Sequence, residues 1–254
     1  MFRKMLALAV VLAVVSVVSA QAEPIRTLLC RENKIPELHK FEAGAVARYT
    51  ETPEEFSPNM IGYDTYEVAP YVRFGAAPNL ALALEVPYVS TDPELGDGET
   101  GLGDVGLEAD LIAYQDIMGY PYVMPHARVD LSTGDEDKGL GTGETRTTLG
   151  IAVGTTVDEI FHWVADAMYT VHDETDNIAT FAGAFIWDLS DQCSIHVEGQ
   201  VTDEERLEGQ EHPMLFLGGL TYKATDKLTL IGYGGGGKNT DQDVVAAVKA
   251  AYSF

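Results

Sequence analysis

The chain has 254 residues and is strongly acidic, because 16 Lys and Arg stand against 40 Asp and Glu and give a formal net charge of −24. This charge argues against a nucleic-acid partner, since phosphate binding needs clusters of basic residues. The chain has two cysteines, without CxxC or Cys/His spacing, so no zinc site is indicated. We expect neither a metal nor another cofactor.

The first 22 residues have the pattern of a secretory signal peptide. Two basic residues precede an apolar run from Met5 to Val18, and Ala20-Gln21-Ala22 fits a small-x-small cleavage site. The alternative is a membrane-anchor helix, but the run is short for a span of about 20 residues. We therefore predict an exported protein that is cleaved after residue 22.

Residues 23–39 follow no clear period and could form a short helix or a loose arm. We predict an N-terminal arm that lies on the periplasmic side or plugs the lumen of a barrel formed by residues 40–254. Cys30 belongs to this arm, and Cys193 starts a later segment after a short turn. Both should lie on the periplasmic side, where export permits a disulfide between them.

Residue 40 begins a long series of segments with period-two alternation. Twelve segments of about ten residues follow one another, the length that a tilted membrane strand needs. They cover residues 40–50, 64–75, 79–90, 103–114, 121–132, 145–156, 161–172, 178–188, 193–202, 213–224, 227–235 and 244–254. The connections alternate between short turns and longer acidic loops. This layout predicts an all-β, transmembrane antiparallel barrel of the bacterial outer membrane with about 12 strands. A soluble β-sandwich is the alternative, but it gives no reason to sort loops by length.

The two faces of these segments differ, because alternate residues of a strand point to opposite sides. In residues 161–172, for example, Trp163 and Tyr169 share one side while His162 and Asp166 share the other. The candidate lumen-lining residues are Arg48, Arg73, Glu85, Glu108, Asp110, His126, Arg128, Asp130, Arg146, His162, Asp166, His196, Glu198 and Lys249. Two interpretations stay open: a polar passage whose charges steer solutes, and a salt-bridged filling of a narrow interior.

Aromatic residues mark the ends of several segments. Trp163 and Trp187 would form part of an aromatic girdle at the periplasmic interface. The last segment ends in Tyr252 and Phe254, and this ending resembles the C-terminal signal that the barrel-assembly machinery reads. We therefore expect that machinery and outer-membrane lipid as partners.

The longer connections carry clusters of carboxylates that would face the cell exterior. These are Glu94, Asp97, Glu99, Asp135, Glu136, Asp137, Asp173, Asp203, Glu204 and Glu205. Such clusters can bind divalent cations, but no EF-hand spacing appears among them. A solvated, repulsive surface is the favoured interpretation, and divalent cations remain candidate partners.

Two glycine-rich stretches carry a family resemblance. GDGETGLGDVGLEADLIAY, residues 96–114, and a second stretch over residues 120–154, with LSTGD and GTG, resemble the outer-membrane family labelled "MetA-pathway of phenol degradation". Ser132 replaces the proline of that family's PTGD-like loop, and Glu108 and Asp110 stand where the family often has a basic residue. The resemblance implies a channel or transporter for small solutes, such as aromatic or hydrophobic compounds.

Two other functional classes are alternatives to a channel. A structural or surface-interaction barrel with a filled lumen is compatible with the same pattern. A hydrolase would need a serine and a histidine presented together on the lipid-facing side. The strand histidines, His126, His162, His172 and His196, fall on the inward parity without an outward serine beside them in mid-strand. We therefore expect the protein not to be an enzyme.

Overall fold

The structure is a computed structural model that describes residues 24–54, 61–115, 121–173, 175–203 and 212–254. The predicted signal peptide lies outside the described residues. The strand segments are β1 (Phe41–Thr52), β2 (Tyr63–Ala77), β3 (Leu80–Glu85), β4 (Tyr88–Pro93), β5 (Thr100–Leu102), β6 (Val105–Leu111), β7 (Tyr122–Leu131), β8 (Arg146–Val157), β9 (Phe161–His172), β10 (Ile178–Ser190), β11 (Cys193–Thr202), β12 (Met214–Lys223), β13 (Leu228–Lys238) and β14 (Val244–Ser253). In the described part of the chain, no helix is long and apolar enough to cross a membrane.

The strands form one closed antiparallel barrel. Each pairs with its neighbours along the sheet, and β1 closes the ring by pairing with both β14 and β2. The segments β3 and β4 both pair with β2, so together they form one interrupted strand. The segments β5 and β6 pair with β4 and β3 respectively, so they form a second interrupted strand. The barrel therefore has twelve strands, and the predicted fold is confirmed.

Both interruptions have a local chemical cause. Pro87 lies between β3 and β4 and has no backbone N–H to continue the ladder. The N–H of Gly103, between β5 and β6, donates to the carbonyl of Pro87 over 2.9 Å. A Cβ atom on Gly103 would lie 2.9 Å from Cγ2 of Val89, so glycine permits this close approach.

The exterior of the barrel is apolar and the interior is mixed. Phe181, Phe216 and Val248 are each about 60% exposed on the outer face, while Met124 and Ile186 are fully buried on the inner face. Soluble proteins rarely expose such a continuous apolar surface, and lipid is its natural solvent. In a closed barrel the backbone N–H and C=O groups of each strand form hydrogen bonds with the neighbouring strands, so they need no water.

Aromatic residues gather at the end of the barrel that carries the short turns, called here the short-turn end. The ring of Trp187 lies 5.2 Å from that of Phe161, and Trp163 is opposite Phe185 in the β9–β10 register. On the last strand, the rings of Tyr252 and Phe254 meet edge to face at 5.0 Å. These positions suit an interfacial girdle, while the assembly signal at Tyr252 and Phe254 remains a prediction.

Candidate functional site: a lumen filled by the N-terminal arm

Residues 24–40 are called here the arm, and residues 24–36 of it lie inside the barrel. Ile25, Arg26, Cys30 and Glu32 are each less than 10% exposed. The wall holds the start of the arm by its backbone, because Lys249 Nζ donates to the Ile25 carbonyl over 2.9 Å. The barrel interior at this level is therefore occupied by the chain itself.

An ion-pair network fixes the arm near the short-turn end. Arg26 pairs with Glu32 inside the arm at 2.9 Å and with Asp188 of β10 at 2.7 Å. Asp188 in turn contacts Nε2 of His162 on β9 at 2.6 Å. Burial raises the pKa of Glu32, but the charge and hydrogen bonds of Arg26 outweigh it and bring that pKa below its ordinary value. Glu32 therefore stays ionised at neutral pH.

The tip of the arm binds three carboxylates on three different strands. The backbone N–H groups of Leu28 and Leu29 donate to Glu198 of β11 over 2.9 and 2.7 Å. The N–H of Arg31 donates to Asp166 of β9 over 3.1 Å. The guanidinium of Arg31 then reaches Glu108 of β6 at 2.6 Å. Glu108, Asp166 and Glu198 are called here the arm-docking carboxylates.

Beyond the tip, the arm returns to the wall through a buried arginine. Arg73 of β2 donates to the carbonyl of Lys34 over 2.7 Å. It also pairs with Glu42 of β1 at 3.4 Å and with Asp110 of β6 at 3.2 Å. All three wall residues are at most 4% exposed. This charged cluster ties the arm to the seam where β1 and β2 meet.

The arm joins β1 through a close backbone approach at Gly75. Leu38 forms a β-bridge with Gly75, and the N–H of His39 donates to the Gly75 carbonyl over 2.8 Å. A Cβ atom on Gly75 would collide with the carbonyl of Glu37, so this position needs glycine. Upstream of Leu38, the described contacts of the arm with the wall involve side chains, which can exchange for water without breaking a strand ladder.

The lumen nearer the long loops is polar and partly open to solvent. Arg48 keeps 37% of its side chain exposed beside Glu67, at 3.5 Å. Arg128, with 26% of its side chain exposed, pairs with Glu85 and Asp130, both at 2.8 Å. Charges of both signs therefore line this part of the interior.

The structure places the predicted lumen-lining residues on the inward face, in two groups. Those at the level of the arm are Arg73, Glu108, Asp110, His126, His162, Asp166, His196, Glu198 and Lys249, and those towards the long loops are Arg48, Glu85, Arg128, Asp130 and Arg146. His126 contacts Asp166 at 2.9 Å, and the ring of His196 lies 5.3 Å from that of Tyr233. The interior is thus lined by charged side chains towards the long loops and filled by the arm nearer the short-turn end.

The two cysteines are free thiols in the structure, so the disulfide that export would permit is not formed. Cys30 is buried in an apolar cluster with Tyr122 and Met124, because the arm turns into the lumen instead of staying beside the turns. Cys193 begins β11 at the short-turn end, opposite Tyr222 in register. Burial and nearby carboxylates raise the pKa of the Cys30 thiol, so it is protonated and unreactive while the arm is bound.

Sequence reasoning missed the role of Asp104, where the two glycine-rich stretches converge. Its carboxylate accepts hydrogen bonds from the N–H groups of Gly134 and Thr142, both at 2.9 Å, and of Thr133 at 3.2 Å. Leu140, in the same loop, is only 6% exposed. The aspartate of the TGLGD stretch therefore folds the STGD and GTG stretches into one loop. The co-occurrence of these motifs was the available signal.

The acidic loops carry the carboxylates at which divalent cations are candidate partners. Glu204 and Glu205 lie outside the described residues. Among the residues that the structure does describe, no group of three or more His, Cys, Asp or Glu is placed to hold a metal ion. Divalent cations at these loops remain a prediction.

A closed barrel with an apolar exterior and a polar lumen defines the class of outer-membrane β-barrel proteins. The family model described as "Putative MetA-pathway of phenol degradation" matches residues 42–254, and the chain belongs to this family. The resemblance read from the two glycine-rich stretches is thereby confirmed. No curated protein matches the sequence.

Solved structures share the fold at low sequence identity. An outer membrane channel from Pseudomonas putida F1 has a TM-score of 0.69 and 12% identity over 91% of this chain and 100% of its own. The NanC porin has a TM-score of 0.55 and 12% identity, over 84% and 98%. The translocator domain of the autotransporter NalP from Neisseria meningitidis has a TM-score of 0.51 and 8% identity, over 100% and 95%. Proteins with different tasks share this architecture, so function must be argued from the lumen.

Proposed function

We propose that the protein is an outer-membrane channel for small solutes whose lumen is closed by the arm and opens when the arm leaves. The observation that carries this proposal is the way the arm is held. Between Ile25 and Lys34 it binds the wall through hydrogen bonds and ion pairs, and a backbone bridge occurs only later, at Leu38. Such contacts can be exchanged for water, whereas a strand of the barrel cannot leave.

The lining of the lumen supports passage of compounds with an apolar part. Leu28 packs against a cluster with Tyr71 and Tyr233, and Leu29 packs against one with Tyr122 and Met124. Removal of the arm would expose these apolar walls beside the arm-docking carboxylates. Small aromatic or hydrophobic compounds fit such a mixed lining. The family description names the degradation of phenol, which is one such compound.

A structural barrel with a permanently filled lumen is the second candidate. The burial of Arg26, Cys30 and Glu32 below 10% exposure favours it. The two functions differ in whether the arm ever leaves, so they predict different solute fluxes.

Weakening the arm should speed solute entry into proteoliposomes. Glu198→Gln keeps the shape of the side chain but replaces one of the two oxygens that accept hydrogen bonds from Leu28 and Leu29 with an amide donor. A backbone donor left without its acceptor costs about 1–3 kcal/mol, so we expect the open population to rise about tenfold. Swelling of liposomes in small neutral solutes measures this change.

The matched control is Asp226→Asn, which removes a carboxylate at an exposed turn between β12 and β13. Its swelling rate should equal that of the unaltered chain. If the folded Glu198→Gln protein gave no more swelling than protein-free liposomes, the channel proposal would be rejected in favour of the filled barrel.

A further inference from the structure

The tip of the arm combines apolar side chains with a positive charge. Within residues 28–31 it presents two leucine side chains, a guanidinium and backbone N–H donors. Leu28 and Leu29 occupy apolar clusters of the wall, and the Arg31 guanidinium pairs with Glu108 at 2.6 Å. The wall therefore offers apolar surface and carboxylate acceptors to a single short segment.

The wall at this level has more carboxylates than it has cations of its own. The carboxylates are Glu42, Glu108, Asp110, Asp166 and Glu198. The cations are Arg73, Lys249 and Arg128, which lies 3.4 Å from Glu108 and is shared with Glu85 and Asp130. The arm adds a further cation to this set through Arg31, which pairs with Glu108. Without it, an excess of buried negative charge would face a low-dielectric lumen, which is costly unless another cation enters.

An unused acceptor also lies within this wall. Oδ2 of Asp110 pairs with Arg73, but Oδ1 is buried and has no hydrogen-bond partner among the described residues. Asp110 is 1% exposed and shares the inward face of β6 with Glu108. This oxygen is therefore an acceptor that neither the wall nor the arm satisfies within the described residues.

We propose that the arm-docking carboxylates and the apolar clusters around them form a binding site for solutes that join an amidinium or guanidinium group to an apolar body. Such a solute competes with the arm for the site. The inference rests on the proposed function in one respect, namely that the arm can leave the lumen. The Arg31 guanidinium donates to Glu108 from Nη2 over 2.6 Å. A planar amidinium can take this place and donate two parallel N–H groups to one carboxylate.

The same charges set what the site rejects. An anion of equal size would meet an excess of carboxylates and gain no pairing, and a neutral amide would forgo the charge-assisted hydrogen bonds. Benzamidinium, benzamide and benzoate are nearly equal in size and shape and differ in charge. They therefore separate recognition of a cation from simple insertion of an aromatic ring.

Cys30 reports the position of the arm in the full chain. It is 3% exposed and unreactive while the arm is bound, and it becomes available when the arm leaves. A Cys193→Ser background removes the other thiol. The rate at which a thiol reagent labels Cys30 in detergent-solubilised protein then measures the arm-free population, and labelling after denaturation shows that the thiol is competent.

Benzamidinium should accelerate this labelling, and benzamide and benzoate should not. Mass action raises the arm-free population by a factor of 1 + [L]/Kd, so we expect about a tenfold faster rate at ten times Kd. In Glu108→Gln, basal labelling should rise because Arg31 loses its partner, and the ratio of rates with and without benzamidinium should fall towards one. Asp226→Asn should keep the full response.

Equal acceleration by all three compounds, or no acceleration by benzamidinium, would overturn the proposal. A response that persists unchanged in Glu108→Gln would also overturn it, because the cation would then bind elsewhere. The labelling rate measures how much of the protein has its arm out of the lumen, and liposome swelling measures solute flux. A barrel that binds benzamidinium without conducting solutes would therefore contradict the channel and leave the site in place.

Discussion

Replacing Arg73 with methionine should lower the free energy of unfolding by about 3–5 kcal/mol, because it leaves buried carboxylates without their cation. Arg73 is 4% exposed and pairs with Glu42 and Asp110, which are 0% and 1% exposed. It also donates to the carbonyl of Lys34 in the arm. The substitution should therefore loosen the arm as well as the β1–β2 seam.

Denaturant unfolding of the protein in detergent micelles or bilayers measures this change. The matched control is Arg48→Met, on the neighbouring strand and the same inward face. Arg48 keeps 37% of its side chain exposed and lies 3.5 Å from Glu67, so its loss should cost about 1 kcal/mol or less. Equal effects of the two substitutions would mean that the Arg73 cluster is not buried as described.

A lysine in place of Val248 should destabilise the barrel by about 2–4 kcal/mol, because this outward position faces the middle of the bilayer. Val248 is 58% exposed and lies midway along β14. Its neighbour Lys249 is tolerated because it points inward and donates to the Ile25 carbonyl. One residue of difference along the strand thus separates lipid from lumen.

The control is a position on the same face of the strand but at a different depth in the bilayer. Val244→Lys changes a residue of the same strand and face that lies near the long loops, where the cost should fall to about 0–1 kcal/mol. Unfolding in bilayers measures both variants. Similar costs for Val244→Lys and Val248→Lys would contradict the placement of a lipid-facing band on β14.

The barrel was predictable because its strands follow a strict local rule. Alternation over about ten residues and the sorting of loops by length identified the twelve strands, and the structure confirms them. The two interrupted strands were not predicted, although Pro87 and Gly103 mark them. The face of β13 was also ambiguous in sequence. The structure buries Ile231 and Tyr233 because this part of the lumen packs against Leu28 of the arm.

The position of the arm was less accessible to sequence reasoning, because its contacts are made across long separations. Leu28 binds Glu198, 170 residues later, and Arg26 binds Asp188, 162 residues later. No period in residues 23–39 encodes these partners. The position of Cys30 was hidden for the same reason, since this thiol was expected beside the turns and lies inside the lumen. Basic residues concentrated in the arm of a very acidic chain were the signal that could have predicted its docking.

Single-channel conductance in a planar bilayer, measured for the exported chain with and without residues 24–39, tests the closure of the lumen most directly. We expect rare or small openings for the chain with its arm and a steady, larger conductance after removal of the arm. Because the exposed wall carries excess carboxylates, that conductance should favour cations. An arm-free barrel that inserts as a folded protein, yet conducts no more than the full chain, would contradict the proposal that the arm closes a channel.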